Sequence, residues 1–164
     1  MNNHLKAKLE LAKKNLKENQ LLAYKLKRNK PKSLENITHQ AHDDAFEKID
    51  CLQCANCCKT TSPVFYDRDI DRLAKHLKMK SVEFIAQYLY IDEVGDYVLK
   101  TAPCPFLDYE NYCTVYENRP TACKEYPHTN RKRFYQILDL SLKNTEICPA
   151  VADVFEQLQK TYNK

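Results

Sequence analysis

The stretch C-L-Q-C-A-N-C-C, residues 51–58, decides how this chain is built, because it places four thiols within eight residues. These thiols are Cys51, Cys54, Cys57 and Cys58. Four more cysteines follow along the 164-residue sequence: Cys104, Cys113, Cys123 and Cys148. Two cysteines that are separated by two residues can point both sulfurs at one ion from a tight turn. In a reducing compartment, a set of this kind is expected to bind metal rather than to form disulfides.

The spacing of the thiols leaves more than one kind of metal centre open. Adjacent side chains such as those of Cys57 and Cys58 tend to diverge, so we expect them to serve two sites, or one cluster and one ion. The C-x2-C-x2-C spacing of residues 51–57 also occurs in ferredoxin-type runs, which a further Cys-Pro pair completes. Cys104 and Cys148 both precede proline, but Cys58 interrupts the contiguous ferredoxin run. Zinc, singly bound iron and an iron–sulfur cluster are therefore all candidates.

Composition excludes several classes of function. Gly95 is the single glycine, and loops that cradle phosphates need several, so neither a P-loop nor a dinucleotide-binding fingerprint can form. No apolar run approaches the roughly 18–20 residues that span a bilayer. The N-terminal segment lacks the apolar region of a secretory signal. We therefore expect a cytoplasmic protein without a membrane span.

The first 32 residues differ in charge from the rest of the chain. Ten Lys or Arg against two Glu give residues 1–32 a charge of +8, and sixteen against twenty Asp or Glu give residues 33–164 a charge of −4. We divide the chain there into a basic amphipathic N-terminal helix or arm and a cysteine-cluster metal-binding domain. An apolar seam, interrupted at Asn19, predicts one helix over about residues 3–28, and Pro31 ends it. The seam consists of Leu5, Leu9, Ala12, Leu16, Ala23 and Leu26.

The arm has two possible roles. Its seam is expected to dock on the body of the protein. The alternative is that the basic helix binds a partner, for which we favour a protein over nucleic acid or an acidic membrane.

The remaining periodicity predicts a mainly α fold. Ser33 can cap a second helix, which runs to about Lys48, and Asp67 can cap a third. Ser81 opens a fourth helix, and Pro149 is a favoured first residue for the last one. On these four helices, the apolar residues that are expected to face the protein core are, in order, Leu34, Ile37, Ala41 and Ala45; Ile70, Leu73, Ala74 and Leu77; Val82, Ile85, Tyr88 and Leu89; and Val151, Val154, Phe155 and Leu158.

The segments between these helices are predicted to be extended or short. Residues 60–66 should be extended, because proline disfavours helix before it. The stretch 91–116 suggests a small hairpin with its turn at 108–111, followed by a short turn or helix that carries Cys123. Residues 133–142 fit a strand nearly as well as a helix. The predicted fold is thus a small metal-stapled α-rich domain with short β stretches around a cysteine cluster.

Four motifs in order carry a resemblance to a known family: C-x2-C-x2-C-C at 51–58, C-P-F-L at 104–107, C-x-V-Y-E-x-R-P-x-x-C at 113–123 and Y-P at 126–127. Together they resemble the bacterial cysteine-cluster (CxxCxxCC, YkgJ-type) family of zinc- or iron-chelating domains. The resemblance implies that the metal-binding set contains Cys51, Cys54, Cys57, Cys58, Cys104, Cys113 and Cys123, with Cys148 as the later cysteine of such proteins.

Two positions depart from the family pattern. Ala55 stands where many members have Gly, which is expected to alter the turn between the cysteines, and Lys124 stands where many have Arg. One branch of the family resembles flagellin lysine methylases, which are much longer chains and share the cysteine cluster with this one.

Other side chains have roles that depend on the cysteines. Arg119 is expected to hold loop carbonyls or to pair with a carboxylate next to the metal. His39, His42 and His128 are interpreted as surface residues, with nitrogen ligation as the alternative. A group of tyrosines is expected to cover the metal, or alternatively to stack on bases beside the basic run 131–133; they are Tyr109, Tyr112, Tyr116 and Tyr126.

Three functions follow from this sequence. The first is a metal-binding protein that chelates a zinc or iron ion through the cysteine cluster. The second is an iron–sulfur redox or group-transfer enzyme, related to protein methylation. The third is a zinc-stapled interaction module that uses the basic arm. No catalytic residue is predicted.

Overall fold

The computed structural model describes residues 1–163 and is mainly α-helical, as predicted. The chain divides into two compact units. We call the first, Met1–Cys54 with the residues from Pro127 onward, the flanking unit, and the second, Ala55–Tyr126, the central unit. The predicted boundary at residue 32 stays a prediction. No helix in the described part of the chain is both long and apolar enough to cross a bilayer.

The flanking unit contains α1 (Asn3–Lys14), α2 (Leu16–Asn29), α3 (Leu34–Phe46), α4 (Cys51–Cys54), a 3-10 helix (Phe134–Ile137), α9 (Leu138–Asn144) and α10 (Pro149–Tyr162). The central unit contains α5 (Asn56–Thr60), α6 (Asp67–His76), α7 (Ser81–Tyr88), strands β1 (Leu89–Ile91) and β2 (Tyr97–Leu99), a 3-10 helix (Tyr116–Asn118) and α8 (Thr121–Glu125). Residues 133–142, which fit strand or helix, are therefore helical.

Helix α10 forms the core of the flanking unit. Pro149 is its first residue, and Val151, Val154, Phe155 and Leu158 are all fully buried, as predicted. The helix packs mainly on α3 and α1. The same core contains Leu22, Leu26, Leu34, Phe134 and Leu138. Because full burial of one such side chain stabilises the fold by about 1.5–3 kcal/mol, this cluster supplies most of the unit's driving force.

The N-terminal segment docks on this core as two helices rather than the single helix predicted. Its seam is buried except for the half-buried Leu16, so the docked alternative is confirmed. The segment breaks at Asn15, between α1 and α2, so the prediction of one continuous helix is wrong. Asn19 is buried within α2 and its Oδ1 accepts a hydrogen bond of 3.0 Å from Gln159 Nε2, which satisfies the amide there.

The predicted helix caps are only partly correct. Ser33 stands at the N-cap of α3 but makes no capping bond, and its hydroxyl lies 3.0 Å from that of Tyr162 instead. In α6 the N-cap is Tyr66, and the Asp69 carboxylate accepts from the Tyr66 N–H at 3.3 Å. The prediction of Asp67 as the cap is therefore wrong, since Asp67 is already helical.

The core of the central unit is aromatic. Ile70, Leu73 and Ala74 are buried on α6, as predicted. On α7, however, Val82 is 75% exposed and the prediction that it faces inward is wrong. The fully buried residue is Phe84, whose ring stacks on Phe106 with centroids 6.2 Å apart. The helical period of α7 allowed either of two faces to be buried. The contact between Phe84 and Phe106 selects the face that carries Phe84.

Two hairpins follow α7. Strands β1 and β2 pair antiparallel with Leu89 opposite Leu99, a hairpin that the sequence did not predict because Leu89 was assigned to the helix. The second hairpin is the predicted one: Leu107 and Cys113 form an antiparallel bridge around the turn at 108–111. The short helix α8, predicted after Pro120, carries Cys123.

Candidate metal centre

The cysteines fall into two sets, one in each unit. The flanking set is Cys51 and Cys54, on α4, with Cys148 at the N-cap of α10. The central set consists of Cys57 and Cys58, on α5, with Cys104, Cys113 and Cys123. The four clustered thiols of the sequence are thus shared between the two units.

A left-handed residue separates the two halves of the cysteine run. Ala55 has φ 47° and ψ 20°, and it joins α4 to α5. This conformation costs a residue with a Cβ roughly 1–2 kcal/mol relative to the right-handed one. The position therefore suits the glycine that many family members have, and Ala55 adopts the turn in spite of that cost.

In the central set, Cys58 makes the closest contacts. Its carbonyl accepts from the Cys104 N–H at 2.8 Å, which ties α5 to the segment that leads into the second hairpin. Its Sγ lies 4.0 Å from that of Cys57. Two sulfurs bound at about 2.3 Å to one tetrahedral ion are about 3.8 Å apart, so this pair is close to a ligating separation. The expectation that these neighbouring side chains diverge is wrong.

The thiol pKa values reflect this crowding. The hydrogen bond from Cys57 lowers the pKa of Cys58 to about 7, with burial opposing and Lys59 assisting the shift. Burial raises the pKa of Cys104 to about 11 and that of Cys123 to about 12, and neighbouring thiols add to both shifts. Burial also raises the pKa of Cys113. Ionising these buried thiols together is costly unless a cation lies among them.

The flanking set has the same character. Burial raises the pKa of Cys148 to about 11, backbone N–H groups of α10 oppose the shift, and the charges of Cys51 and Cys54 add to it. The three residues therefore interact electrostatically although Cys148 is far from the other two in sequence.

The donor types fit a thiophilic ion, but the side chains need to move to enclose one. Within residues 1–163, no group of three or more His, Cys, Asp or Glu side chains is already placed to hold a metal ion. Thiolates that would repel one another gain most from a shared cation, so rotation of these side chains about χ1 and coordination are expected to occur together.

A buried carboxylate that the sequence interpretation missed positions Cys123. The Asp69 side chain is fully buried and accepts from the Thr121 hydroxyl at 2.9 Å and from Arg72 Nη2 at 2.6 Å. Arg72 also donates to the Arg119 carbonyl at 2.9 Å. The network fixes the start of α8 to α6. The Asp-x-x-Arg spacing of Asp69 and Arg72 was the available signal, since i,i+3 pairs meet on a helix.

This network controls the charge of Asp69. Burial opposes ionisation, but hydrogen bonds from Arg72 and Thr121 outweigh it and hold the pKa of Asp69 below its ordinary value. The carboxylate is therefore a permanent acceptor for α8.

Arg119 acts as predicted, but the tyrosines do not. Arg119 Nη1 donates to the Tyr116 carbonyl at 2.7 Å, and its guanidinium lies 3.7 Å from the centroid of the Tyr116 ring. Tyr109 is 93% exposed, and Tyr112 and Tyr116 are more than half exposed. The expectation that these three cover the thiols is therefore wrong.

The histidines of α3 have other partners. His42 Nδ1 lies 2.6 Å from the hydroxyl of Thr129, which is fully buried, and burial lowers the pKa of His42. His39 Nε2 lies 3.4 Å from the Arg131 carbonyl. For His128, ligation stays a prediction.

These features define a small helical protein built around two sets of cysteines. Residues 50–149, which include all eight cysteines, match the CxxCxxCC family, whose description is "putative zinc- or iron-chelating domain". The chain belongs to this family, which confirms the resemblance and supports a metal-binding role. A search of curated proteins and a search of solved structures found no match.

Proposed function

We propose that this protein chelates a zinc or iron ion through its cysteines. The observation that carries the proposal is the convergence of thiols that are distant in sequence. In the central unit the Cys58 carbonyl accepts from the Cys104 N–H, and in the flanking unit the charges of Cys51 and Cys54 help to raise the pKa of Cys148. A reducing cytoplasm is the compartment that would keep such thiols available for metal.

The central set is the stronger candidate for a complete site. Five thiols are more than the four that a tetrahedral zinc or iron ion takes. Several of them are buried thiols with raised pKa values, so a bound cation would remove an electrostatic cost as well as form bonds. Binding there would also add directly to the folding free energy of a unit whose cysteine-bearing segments have little regular structure.

An iron–sulfur cluster for redox or group-transfer chemistry is the second candidate. The five thiols of the central set favour it, because a cluster needs four and Cys104 stands in a Cys-Pro pair. Such a cluster would supply the electron-transfer centre that a redox or group-transfer role requires.

A zinc-stapled interaction module is the third candidate. On α2, Leu21 is 70% exposed and Tyr24 is 66% exposed, and Lys17 and Arg28 lie on the same helix face. An acidic protein partner with an apolar contact would suit this face. Leu21→Ser with Tyr24→Ser should then abolish partner binding while metal content is unchanged.

Metal analysis of anaerobically purified protein tests the main proposal. We expect stoichiometric zinc or iron, with a marked loss of it from the central set in Cys123→Ser, and a loss of any metal bound to the flanking set in Cys148→Ser. Ala122→Ser, on the same helix as Cys123, serves as the matched control and should bind as the parent does. Visible absorption with inorganic sulfide would favour the cluster, and equal metal content in all four proteins would refute chelation by these cysteines.

A further inference from the structure

The two methionines of the chain occupy different surroundings. Met79 packs against the apolar core of the central unit. Met1 lies in the flanking unit, where its Sδ is 3.7 Å from the Sγ of Cys54. A fourth sulfur therefore adjoins the flanking set, from a residue outside the region 50–149 that the family describes.

We propose that the flanking set is a Cu(I) site in which the Met1 thioether is a ligand together with the thiolates of Cys51, Cys54 and Cys148. This inference rests on the proposed function, since it requires that the cysteines chelate metal. It adds to that function a fourth ligand and a different class of ion.

The position of Met1 follows from the packing of α1. The Asn2 side chain caps this helix by accepting from the Leu5 N–H at 2.9 Å. Leu5 is buried in the same apolar cluster as Cys54, and Met1 and Cys148 pack against that cluster. Further along α1, Lys8 pairs with Asp153 at 2.5 Å. The thioether is thus placed by a helix that is anchored to α10, which begins directly after Cys148.

The Met1–Cys54 separation suits a shared ion, although no three of the described His, Cys, Asp or Glu side chains are already placed around one. Sulfurs that bind one tetrahedral ion at about 2.3 Å lie about 3.8 Å apart, and the Met1–Cys54 separation is 3.7 Å. Cys54 is only 7% exposed, so an ion at this position would lie in apolar surroundings with few competing water molecules. Cys51 and Cys54 lie at the two ends of the single-turn helix α4, the C-x2-C geometry that directs two sulfurs to one point.

The donor set selects the ion. A thioether is uncharged, polarisable and soft, and it contributes little to zinc, which takes thiolate, imidazole and carboxylate ligands. Thiolates suit Cu(I), zinc and iron–sulfur clusters alike, and the thioether is the donor that favours Cu(I) among them. A thioether beside three thiolates therefore favours Cu(I) over the zinc or iron that we propose for the central set.

Selenium X-ray absorption provides a direct test on the intact chain. Both methionines are replaced by selenomethionine, and one equivalent of Cu(I) is added under anaerobic, reducing conditions. We expect a selenium–copper scattering path at bonding distance. It should be lost in Met1→Leu and retained in Met79→Leu, which is the matched control. All three proteins are released from the same cleavable N-terminal tag, so that no initiator methionine adds a third selenium.

Affinity provides the second measurement. Loss of even an outer partner of a metal ligand lowers affinity by roughly 10–100-fold, so Met1→Leu should weaken Cu(I) binding by at least ~10-fold. Zinc uptake should not change. Absence of the selenium–copper path, or equal Cu(I) affinity of the two leucine variants, would overturn the inference while leaving chelation by the cysteines intact. If the parent protein binds no metal at all, the proposed function fails as well.

Discussion

The flanking unit and the central unit are stabilised by different interactions. The flanking unit packs a long helix, α10, against α1, α2, α3 and α9, and its three cysteines lie at helix ends. The central unit has a smaller aromatic core, and most of its five cysteines lie in short helices and turns. Burial of apolar side chains can therefore stabilise the flanking unit without metal, whereas the central unit depends more on metal coordination.

Metal removal should give the largest effect and the clearest contrast. Structural zinc contributes about 10–16 kcal/mol in small domains, comparable with or larger than the total stability of a typical fold. We expect a chelator to remove amide hydrogen-exchange protection from α8 and the second hairpin while α10 stays protected. Equal loss of protection in α8 and α10 would contradict the contrast between the units.

Substitution of the buried carboxylate should affect the central unit next most strongly. Asp69→Asn replaces charged hydrogen bonds to Arg72 by neutral ones, and we expect a loss of about 2 kcal/mol in the free energy of unfolding. Asp67→Asn, at the exposed start of the same helix, should change stability by less than about 0.5 kcal/mol. Denaturant titration measures both, and similar losses would argue against the network.

The pH dependence of this effect has a definite sign. The folded-state pKa of Asp69 lies below its unfolded value, so the ionised network stabilises the protein above the unfolded pKa. That contribution is lost as the pH falls through the folded-state pKa. Asp69→Asn should therefore reduce the steepness of acid unfolding.

The left-handed residue between α4 and α5 allows a stabilising change. Ala55→Gly removes the steric cost of φ 47°. Gly also makes the unfolded chain more flexible, which offsets part of this benefit, so we expect the free energy of unfolding to rise by about 1 kcal/mol. Ala86→Gly, on the exposed face of α7, should instead cost about 1 kcal/mol. Thermal unfolding compares them, and a loss from both would exclude strain at Ala55.

The smallest effect concerns the flanking unit. Burial lowers the folded-state pKa of His42, so the neutral ring is favoured and stability is lost as the pH falls from the unfolded value through the folded one. His42→Gln should flatten this part of the stability curve, and the exposed His4→Gln should not. Unchanged pH dependence in His42→Gln would assign the acid sensitivity to other groups.

Short-range sequence patterns correctly predicted the helices and turns that short-range interactions determine. The stripe Ile70–Leu73–Ala74 and the face of α10 follow from helical period alone, and the turn at 108–111 follows from its residues. Val82 was misplaced because two faces of α7 carry apolar residues and only contact with Phe106 selects between them. Asp69 was missed because its carboxylate accepts four hydrogen bonds, and those from Thr121 come from 52 positions along the chain.

The sequence by itself determined the family, the helical class and the eight cysteines that are candidate ligands, because these depend on residue type and short-range spacing. Only the tertiary structure decided how the thiols are shared between two units and that Met1 adjoins one of the sets. Partners distant in the chain are chosen by packing, and packing depends on the shape of the whole core rather than on any short stretch of sequence.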